Sequence, residues 1–584
     1  MAGLAQVAVL LVLLAAAWRP LGDWMARVYT DERDWGVERV LYRMVRVDPR
    51  SEQRAGTYAV AVLAFSFAGI VLLYLLQRLQ SLLPWSFDRG AVEPGVAFNT
   101  AVSFVTNTNW QSYVPETTLG HAVQMAGLTV QNFVSAAVGM AVAVALVRGF
   151  VRSRTDRLGN AWVDIVRGCT RILLPIAAVA AVALVATGVV MSLRSGIDVV
   201  GPDGRVSTAA IAPVASQEAI KELGTNGGGV LNANSAHPFE NPTPLSNLLE
   251  IFLMLLIPVA LTRTFGRLVG STRQGVALLA VMGGLWGVML AVIWTAEARS
   301  ASFAGANLEG KEVRFGVPGS ALFANTTTGT STGAVNSLHD SYSALGGGGT
   351  LLNMLFSEMT PGGVGTGLYG ILVVAIIAVF LAGLMVGRTP EYLGKRLGRR
   401  EVTCAVVVTL TMPALVLLGT GLAIALPGTP DAMTNSGPHG LSEVLYAFAS
   451  AANNNGSAFA GLSSDQPFLN LTLAVSMLLG RFVPIVLVLA LAGALVRQPR
   501  RALRDDQLVL AAPHREEAGA AVRGGFLELA QQVGAGLQLH RDARRRQEVR
   551  DEAALVRRAE RDEGVHAGVA AEALDVVARD EPTQ

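Results

Sequence analysis

The chain has 584 residues, of which 51% are hydrophobic and 15% charged, and its formal net charge is only +2. The apolar residues fall in uninterrupted runs of roughly 17 to 25, the length a helix needs to cross a bilayer, which excludes a soluble enzyme or binding module. The near-neutral charge says nothing about partners, no nucleic-acid partner is expected, and the two distant cysteines, Cys169 and Cys404, support neither a disulfide framework nor a thiolate metal site.

Residues 1–20 read as an N-terminal transmembrane helix. The apolar run Leu4 to Trp18 lacks a preceding basic residue and a small-residue cleavage site, so it is an uncleaved span rather than a secretory signal. Arg19, Arg27, Arg33, Arg39, Arg43, Arg46, Arg50 and Arg54 follow it and place the next segment in the cytoplasm and the N-terminus outside.

A unit then recurs: apolar span, loop, short amphipathic helix, polar loop, apolar span. The four copies occupy residues 57–148, 171–262, 275–387 and 402–496. Repetition at this scale implies one architecture built from four similar parts. The connections between copies hold the basic residues: Arg148 to Arg157, Arg263 to Arg273, and Arg388 to Arg400. Those connections are therefore cytoplasmic and the polar loops open from outside. The predicted fold is all-α and integral to the membrane, with four pseudo-repeats of span, pore helix, filter loop and span around one pore, plus the N-terminal span. Residues 497–584 change character and read as a polar, Arg-rich cytoplasmic tail, helical or disordered. Gly346 to Gly349 reads as a low-complexity turn without chemistry.

The polar loops are Thr106-Asn107-Thr108-Asn109-Trp110-Gln111, Gly224-Thr225-Asn226-Gly227-Gly228-Gly229, Thr330-Ser331-Thr332-Gly333-Ala334 and Asn453-Asn454-Asn455-Gly456-Ser457. Non-helical backbone at membrane depth is tolerated only when buried in protein or lining a polar cavity. Rings of backbone carbonyls replace the water shell of a potassium ion, and glycine leaves room for the backbone to turn them inward. Gly227, Gly333 and Gly456 suit that requirement, and Asn109 stands at the equivalent place in the first loop. The helices Ser216 to Leu223 and Leu441 to Ala449 end where their loops begin, so the negative ends of their dipoles favour a cation. No ring of Asp or Glu occurs in the loops, which makes a divalent ion a poorer fit.

Other features are weaker. His121, His237, His339 and His439 flank polar loops without ligand-spaced partners and read as structural hydrogen-bonding residues. Gly365-Thr366-Gly367-Leu368-Tyr369-Gly370 matches a dinucleotide fingerprint by letter but opens a membrane span, so it reads as helix packing. Glu250, Glu358, Arg388 and Arg481 bound apolar runs; Arg388 and Arg481 are the candidates for a fixed cation gating the inner end of the pore.

With these stretches together, the sequence resembles the potassium-binding A subunit of the bacterial Kdp potassium-transporting P-type ATPases, within the superfamily of potassium transporters. The resemblance runs from about Leu4 to Val496 and includes the stretch Asn232-Ala233-Asn234-Ser235-Ala236-His237-Pro238-Phe239-Glu240-Asn241-Pro242-Thr243-Pro244. It also includes Gly362-Gly363-Val364 ahead of the Gly365 to Gly370 stretch, and Gly387-Arg388-Thr389-Pro390-Glu391-Tyr392-Leu393-Gly394. It implies a potassium filter with Asn109, Gly227, Gly333 and Gly456 at the selective ring and Gln111 and Asn234 as further selectivity positions. The surrounding loop residues Thr106, Asn107, Thr108, Thr225, Asn226, Gly228, Ser331, Thr332, Asn454, Asn455 and Ser457 complete the candidate potassium site.

The resemblance also implies a multi-pass protein of the bacterial inner membrane, among lipids, with an ATP-hydrolysing B subunit, a C subunit and a small F peptide as partners. Potassium would enter from outside and pass sideways to the B subunit. ATP is not expected on this chain: there is no Asp-Lys-Thr-Gly-Thr phosphorylation motif or Walker loop, and Lys221, Lys311 and Lys395 are its only lysines. One departure stands out: the family has a tenth span where this sequence runs from Arg497 into its polar tail, as a frame change in the gene would produce. The competing function is a stand-alone potassium channel or ion-coupled transporter of the same superfamily.

Overall fold

The computed structural model describes residues 2–299, 307–357 and 359–500. Glu358 and the tail beyond residue 500 lie outside the described residues. In chain order the helices are α1 (Ala2–Val28), α2 (Gly36–Met44), α3 (Ala55–Arg78), α4 (Pro94–Val105), α5 (Pro115–Thr118) and α6 (Val130–Val151). They continue with α7 (Ala161–Arg167), α8 (Leu174–Ala186), α9 (Val214–Leu223), α10 (Pro244–Val269), α11 (Thr272–Arg299) and α12 (Gly316–Gly329). The last are α13 (Ala344–Leu355), α14 (Thr366–Met385), α15 (Arg399–Ala425), α16 (Gly437–Asn453) and α17 (Pro467–Arg497). π-helical turns run into α6 and join α7 to α8. Among the described residues nine helices are long and apolar enough to cross a membrane, so the chain is a multi-pass membrane protein.

Each unit is a span, a short buried pore helix and a second span. The spans are α3 and α6, α7–α8 and α10, α11 and α14, and α15 and α17; the pore helices are α4, α9, α12 and α16. Local chemistry sets the helix starts. Glu93 caps α4 by accepting from the Val96 amide at 2.8 Å, and Pro94 fills the first turn, where its missing N–H costs nothing. Thr243 and Ser246 form a reciprocal cap ahead of α10, and Gly270 ends that helix in the left-handed conformation at φ 79°.

Burial separates inner from outer spans. Within the most apolar stretch, 83% of the α6 span and 78% of α10 are buried, against 22% for both α3 and α15. α6 reaches this depth because its inward positions are small. A Cβ on Gly139 would lie 2.3 Å from the Val364 carbonyl oxygen, and one on Gly149 would lie 2.9 Å from Ala492 Cα, so α6 meets the start of α14 and the body of α17 at backbone distance. The Gly365 to Gly370 stretch is the other side of this contact: a Cβ on Gly365 would sit 2.1 Å from the Gly139 carbonyl.

Three expectations change. The first helix continues to Val28 instead of ending near residue 20, because its C-terminal half packs on α10: Trp18 donates to Thr262 Oγ1 at 3.0 Å and Asp23 pairs with Arg263 at 2.8 Å. The second unit's first span is displaced toward the N-terminus, running from Ala161 to Ala186. Gly346 to Gly349 is not a turn but part of α13. Ser343 caps that helix, and the glycines let it approach α11 so closely that a Cβ on Gly346 would meet Glu297 Oε1 at 2.0 Å.

On the side of the basic connections, Glu38 of α2 is wholly buried and receives both Nε and Nη2 of Arg171 at 2.6 Å, while Asp31 takes Nη1 at 2.8 Å. Removing one partner of a buried ion pair leaves an uncompensated charge, which costs about 3–5 kcal/mol. Glu38→Ala should therefore lower stability by about 3 kcal/mol in detergent, the low end of that range because Asp31 remains. Arg50→Ala, which removes an exposed partner of Asp34, should change it by less than about 1 kcal/mol. Equal unfolding midpoints for the two variants would count against this account.

Candidate functional site

The pore helices end at Val105, Leu223, Gly329 and Asn453. Past each end the chain makes the same two moves. First, one residue takes a left-handed conformation: Asn107 at φ 67°, Thr225 at 49°, Ser331 at 57° and Asn454 at 61°. The next residue then donates its amide to the carbonyl five residues back: Thr108 to Ser103 at 2.9 Å, Asn226 to Lys221 at 2.9 Å, Thr332 to Thr327 at 3.1 Å and Asn455 to Ser450 at 2.9 Å. This is the 6→1 bond that closes a helix C-terminus. Its recurrence aligns the four loops residue by residue and makes Asn109, Gly227, Gly333 and Gly456 structural equivalents.

The loops form a closed ring. Between the first and second, Asn107 Nδ2 donates to the Thr225 carbonyl at 2.7 Å and the Gly227 amide donates to Asn109 Oδ1 at 3.1 Å. Between the third and fourth, Ser331 Oγ donates to the Asn454 carbonyl at 2.9 Å, and Asn455 Nδ2 returns to the Thr327 carbonyl at 3.0 Å. The fourth closes on the first through Asn454 Nδ2 and Thr108 Oγ1 at 3.0 Å. Second and third meet where a Cβ on Gly227 would lie 2.9 Å from the Thr332 carbonyl oxygen.

That geometry explains the glycines. A Cβ on Gly333 would lie 2.0 Å from the Asn455 carbonyl oxygen, and one on Gly456 would lie 1.8 Å from that of Thr108. Each glycine abuts the carbonyl of the next loop, at φ 81° and 103° respectively. Asn109 also has positive φ, 62°, which asparagine tolerates better than most residues. Its side chain turns aside to donate to Asn132 Oδ1 at 2.7 Å. The second loop departs from its siblings: the left-handed glycine is Gly228, at φ 69°, not Gly227.

Hydroxyl and amide side chains brace the ring from behind. Thr106 and Thr108 share a 2.9 Å hydrogen bond that recurs between Thr330 and Thr332 at 2.7 Å. Asn226 Nδ2 donates to the Asn132 carbonyl at 2.8 Å, and Ser457 Oγ lies 3.0 Å from the Tyr446 hydroxyl. These loop residues are buried. Above them a cavity of about 760 Å³ touches all four loops, at Asn109, Gly228, Gly333 and Gly456, with Gln111 and Asn234 in its wall. Gln111 Oε1 accepts the Gly229 amide at 2.9 Å, and Asn234 Nδ2 donates to the Gly228 carbonyl.

The two arginines part company. Arg481 of α17 is buried and donates Nη2 to the Ser135 carbonyl at 3.2 Å; Ser135 Oγ in turn donates to Asn107 Oδ1 at 2.7 Å, so Arg481 lies one residue behind the ring. Arg388 is exposed on the turn after α14. Glu250 is wholly buried rather than at an interface. The four flanking histidines have hydrogen-bonding neighbours: the Arg194 carbonyl for His121, the Phe239 amide for His237, Tyr446 for His339 and Asp340 for His439. Burial pushes the His339 imidazole down to about 3, so it is neutral at ordinary pH.

Sequence reasoning missed Asn132 and Ser135 on α6, which hold three of the loop asparagines. A signal was present: polar residues spaced i, i+3 inside an otherwise apolar span face the bundle interior. It also missed the buried charges Glu218, Lys221 and Glu222 on α9.

The sequence matches the family described as KdpA, Potassium-transporting ATPase A subunit, over residues 8–513. It is 62% identical over 507 residues to a protein of Nocardia farcinica named Potassium-transporting ATPase potassium-binding subunit, covering 85% of this chain and 90% of that one. A Streptomyces coelicolor protein of the same name is 60% identical over 503 residues, covering 85% and 91%. Among solved structures, the potassium transporter TrkH from Vibrio parahaemolyticus superposes with a TM-score of 0.52 at 15% identity, covering 83% of this chain and 96% of that one, which is a likeness of fold. The chain belongs to the family of potassium-transporting ATPase A subunits.

Proposed function

We propose that this chain selects potassium from outside the cell and passes it to the ATP-hydrolysing subunit of a high-affinity import pump. The observation that carries the reading is the closed ring of four loops, each entered from the C-terminal end of a buried helix and each packed backbone to backbone on the next. Such a ring offers carbonyl oxygens at fixed spacing to an ion that has shed its water. The four helix C-termini add partial negative charge around it, which favours a cation without the full carboxylates that would hold a divalent ion too tightly. Asn109, Gly227, Gly333 and Gly456 form the selective level, Gln111 and Asn234 shape its mouth, and the other polar loop residues hold the backbone in place. Arg481 sets a fixed positive charge behind the first loop, where it opposes passage of the ion straight through to the cytoplasm. Arg388, on the exposed turn after α14, is the second candidate for that gate.

The energy comes from partners. The chain has neither a phosphorylation motif nor a Walker loop, and its three lysines stand in other contexts. A B subunit that hydrolyses ATP, a C subunit and the small F peptide complete the assembly, and ATP binds elsewhere than on this subunit.

Co-expressed with its B, C and F partners in bacteria lacking other potassium uptake, the chain should restore growth at micromolar potassium. Uptake by this chain alone, without ATP, would instead indicate the channel or ion-coupled transporter of the same superfamily. Within the complex, Gly333→Ala and Gly456→Ala should weaken potassium binding about tenfold or more, roughly 1.4 kcal/mol, because the added methyl displaces a neighbouring carbonyl. Gly284→Ala, on the open face of α11, should leave binding unchanged. Gly227→Asp should also lower affinity, and unaltered uptake at micromolar potassium in that variant would count against the site as a whole.

A further inference from the structure

The second pore helix differs from its three siblings. α9 carries a face of ionisable residues, Glu218, Lys221 and Glu222, while α4, α12 and α16 contain no lysine or arginine. The Lys221 side chain is fully buried. Its ammonium lies 2.7 Å from Glu218 Oε2 and 3.3 Å from Glu240 Oε2, and it donates to Ser235 Oγ and Asn234 Oδ1, both at 3.2 Å. Oxygens of Glu218, Glu222 and Glu250 lie within 4.8 Å of one another, close enough to share an ion. The ammonium, 3.7 Å from Glu222 as well, already supplies a positive charge to two of the three.

The consequence reaches the filter through Asn234. Its Oδ1 faces the Lys221 ammonium and also accepts the Ser235 amide at 3.0 Å and, from the third loop, the Val335 amide at 3.2 Å. Three donors on one side leave its NH2 group pointing the other way, at the Gly228 carbonyl. The reversed amide would set an NH2 against an ammonium and an oxygen against a carbonyl, leaving buried polar groups unpaired. Lys221 grips the loop a second time, because its own carbonyl accepts the Asn226 amide in the helix-closing bond. The loop so held is the one whose left-handed glycine is displaced by a residue, to Gly228.

We propose that Lys221 is a positioning residue for potassium selection: held by Glu218 and Glu240, it fixes the orientation of the Asn234 amide, which pins the Gly228 carbonyl in the vestibule wall. Lys221 itself touches no ion. Its effect is on how sharply the mouth of the filter tells potassium from sodium.

This inference rests on the potassium reading above, and the test separates the two. The assembled complex is measured for potassium-dependent ATP hydrolysis, with sodium as competitor. The paired change Lys221→Met with Glu218→Gln removes one charge of each sign. It should raise KM for potassium about tenfold and weaken discrimination against sodium, with kcat unchanged. Combined with Asn234→Leu it should be no worse than Asn234→Leu alone, since the lysine acts through that amide. Glu218→Gln by itself only loosens the ammonium and should raise KM about threefold, so the inference stays testable if the paired variant fails to assemble. A variant complex assembled in normal amounts with unchanged KM and sodium discrimination overturns the role of Lys221. A wild-type complex that responds to no potassium overturns the reading beneath it.

Discussion

Backbone N–H and C=O groups at membrane depth have no water to bond, and four segments of this chain leave helical geometry there. The bond that makes this possible is the same in every copy: an amide past the helix end returning to the carbonyl five residues back. It satisfies part of the helix terminus and reverses the chain, so that the following residue faces its neighbour in the next copy. The contacts between neighbouring loops depend on that reversal. Ser103, Lys221, Thr327 and Ser450, which contribute the accepting carbonyls, can differ in side chain because this one bond uses only their backbone.

A ring made this way has little tolerance for side chains where copies meet. Gly333 and Gly456 lie against carbonyl oxygens of the next loop, and their missing Cβ atoms are what let four backbones close around one axis. The first copy reaches closure differently. Asn109 keeps a side chain and spends it on two bonds, to Asn132 behind and to the Gly227 amide beside it. Fourfold pseudo-symmetry therefore holds for the helix-closing bond and not for the chemistry, and in the second loop the backbone departs as well, with its left-handed glycine at Gly228.

The scaffold applies the same rule at larger scale. α6 and α10 are the buried spans, and α6 can be central because glycine and alanine on its faces allow α14 and α17 to approach at backbone distance. Two clusters hold paired charge: Arg171 with Glu38 and Asp31 near the basic connections, and Lys221 with Glu218 and Glu240 behind the second loop. The second cluster reaches the second loop through Asn234, and gives the one displaced loop a charged support its siblings do without.

Much of this was legible in the sequence. Apolar runs of membrane length and four polar loops after short helices pointed to the repeated units and the equivalence of Asn109 with Gly227, Gly333 and Gly456, because bilayer thickness and helix rise convert directly into sequence spacing. Tertiary structure decided what spacing cannot express. Gly346 to Gly349 form a helix because α11 packs against them, and α1 extends to Val28 because α10 lies alongside. Asn132 and Ser135 reach the loops from another span. Arg481 lies close behind the ring and Arg388 on an exposed turn, and the Lys221 cluster draws on α9 and on a loop residue, Glu240, nineteen positions away. In each case the deciding contact joins residues distant in the chain, and local pattern carries no record of such partners.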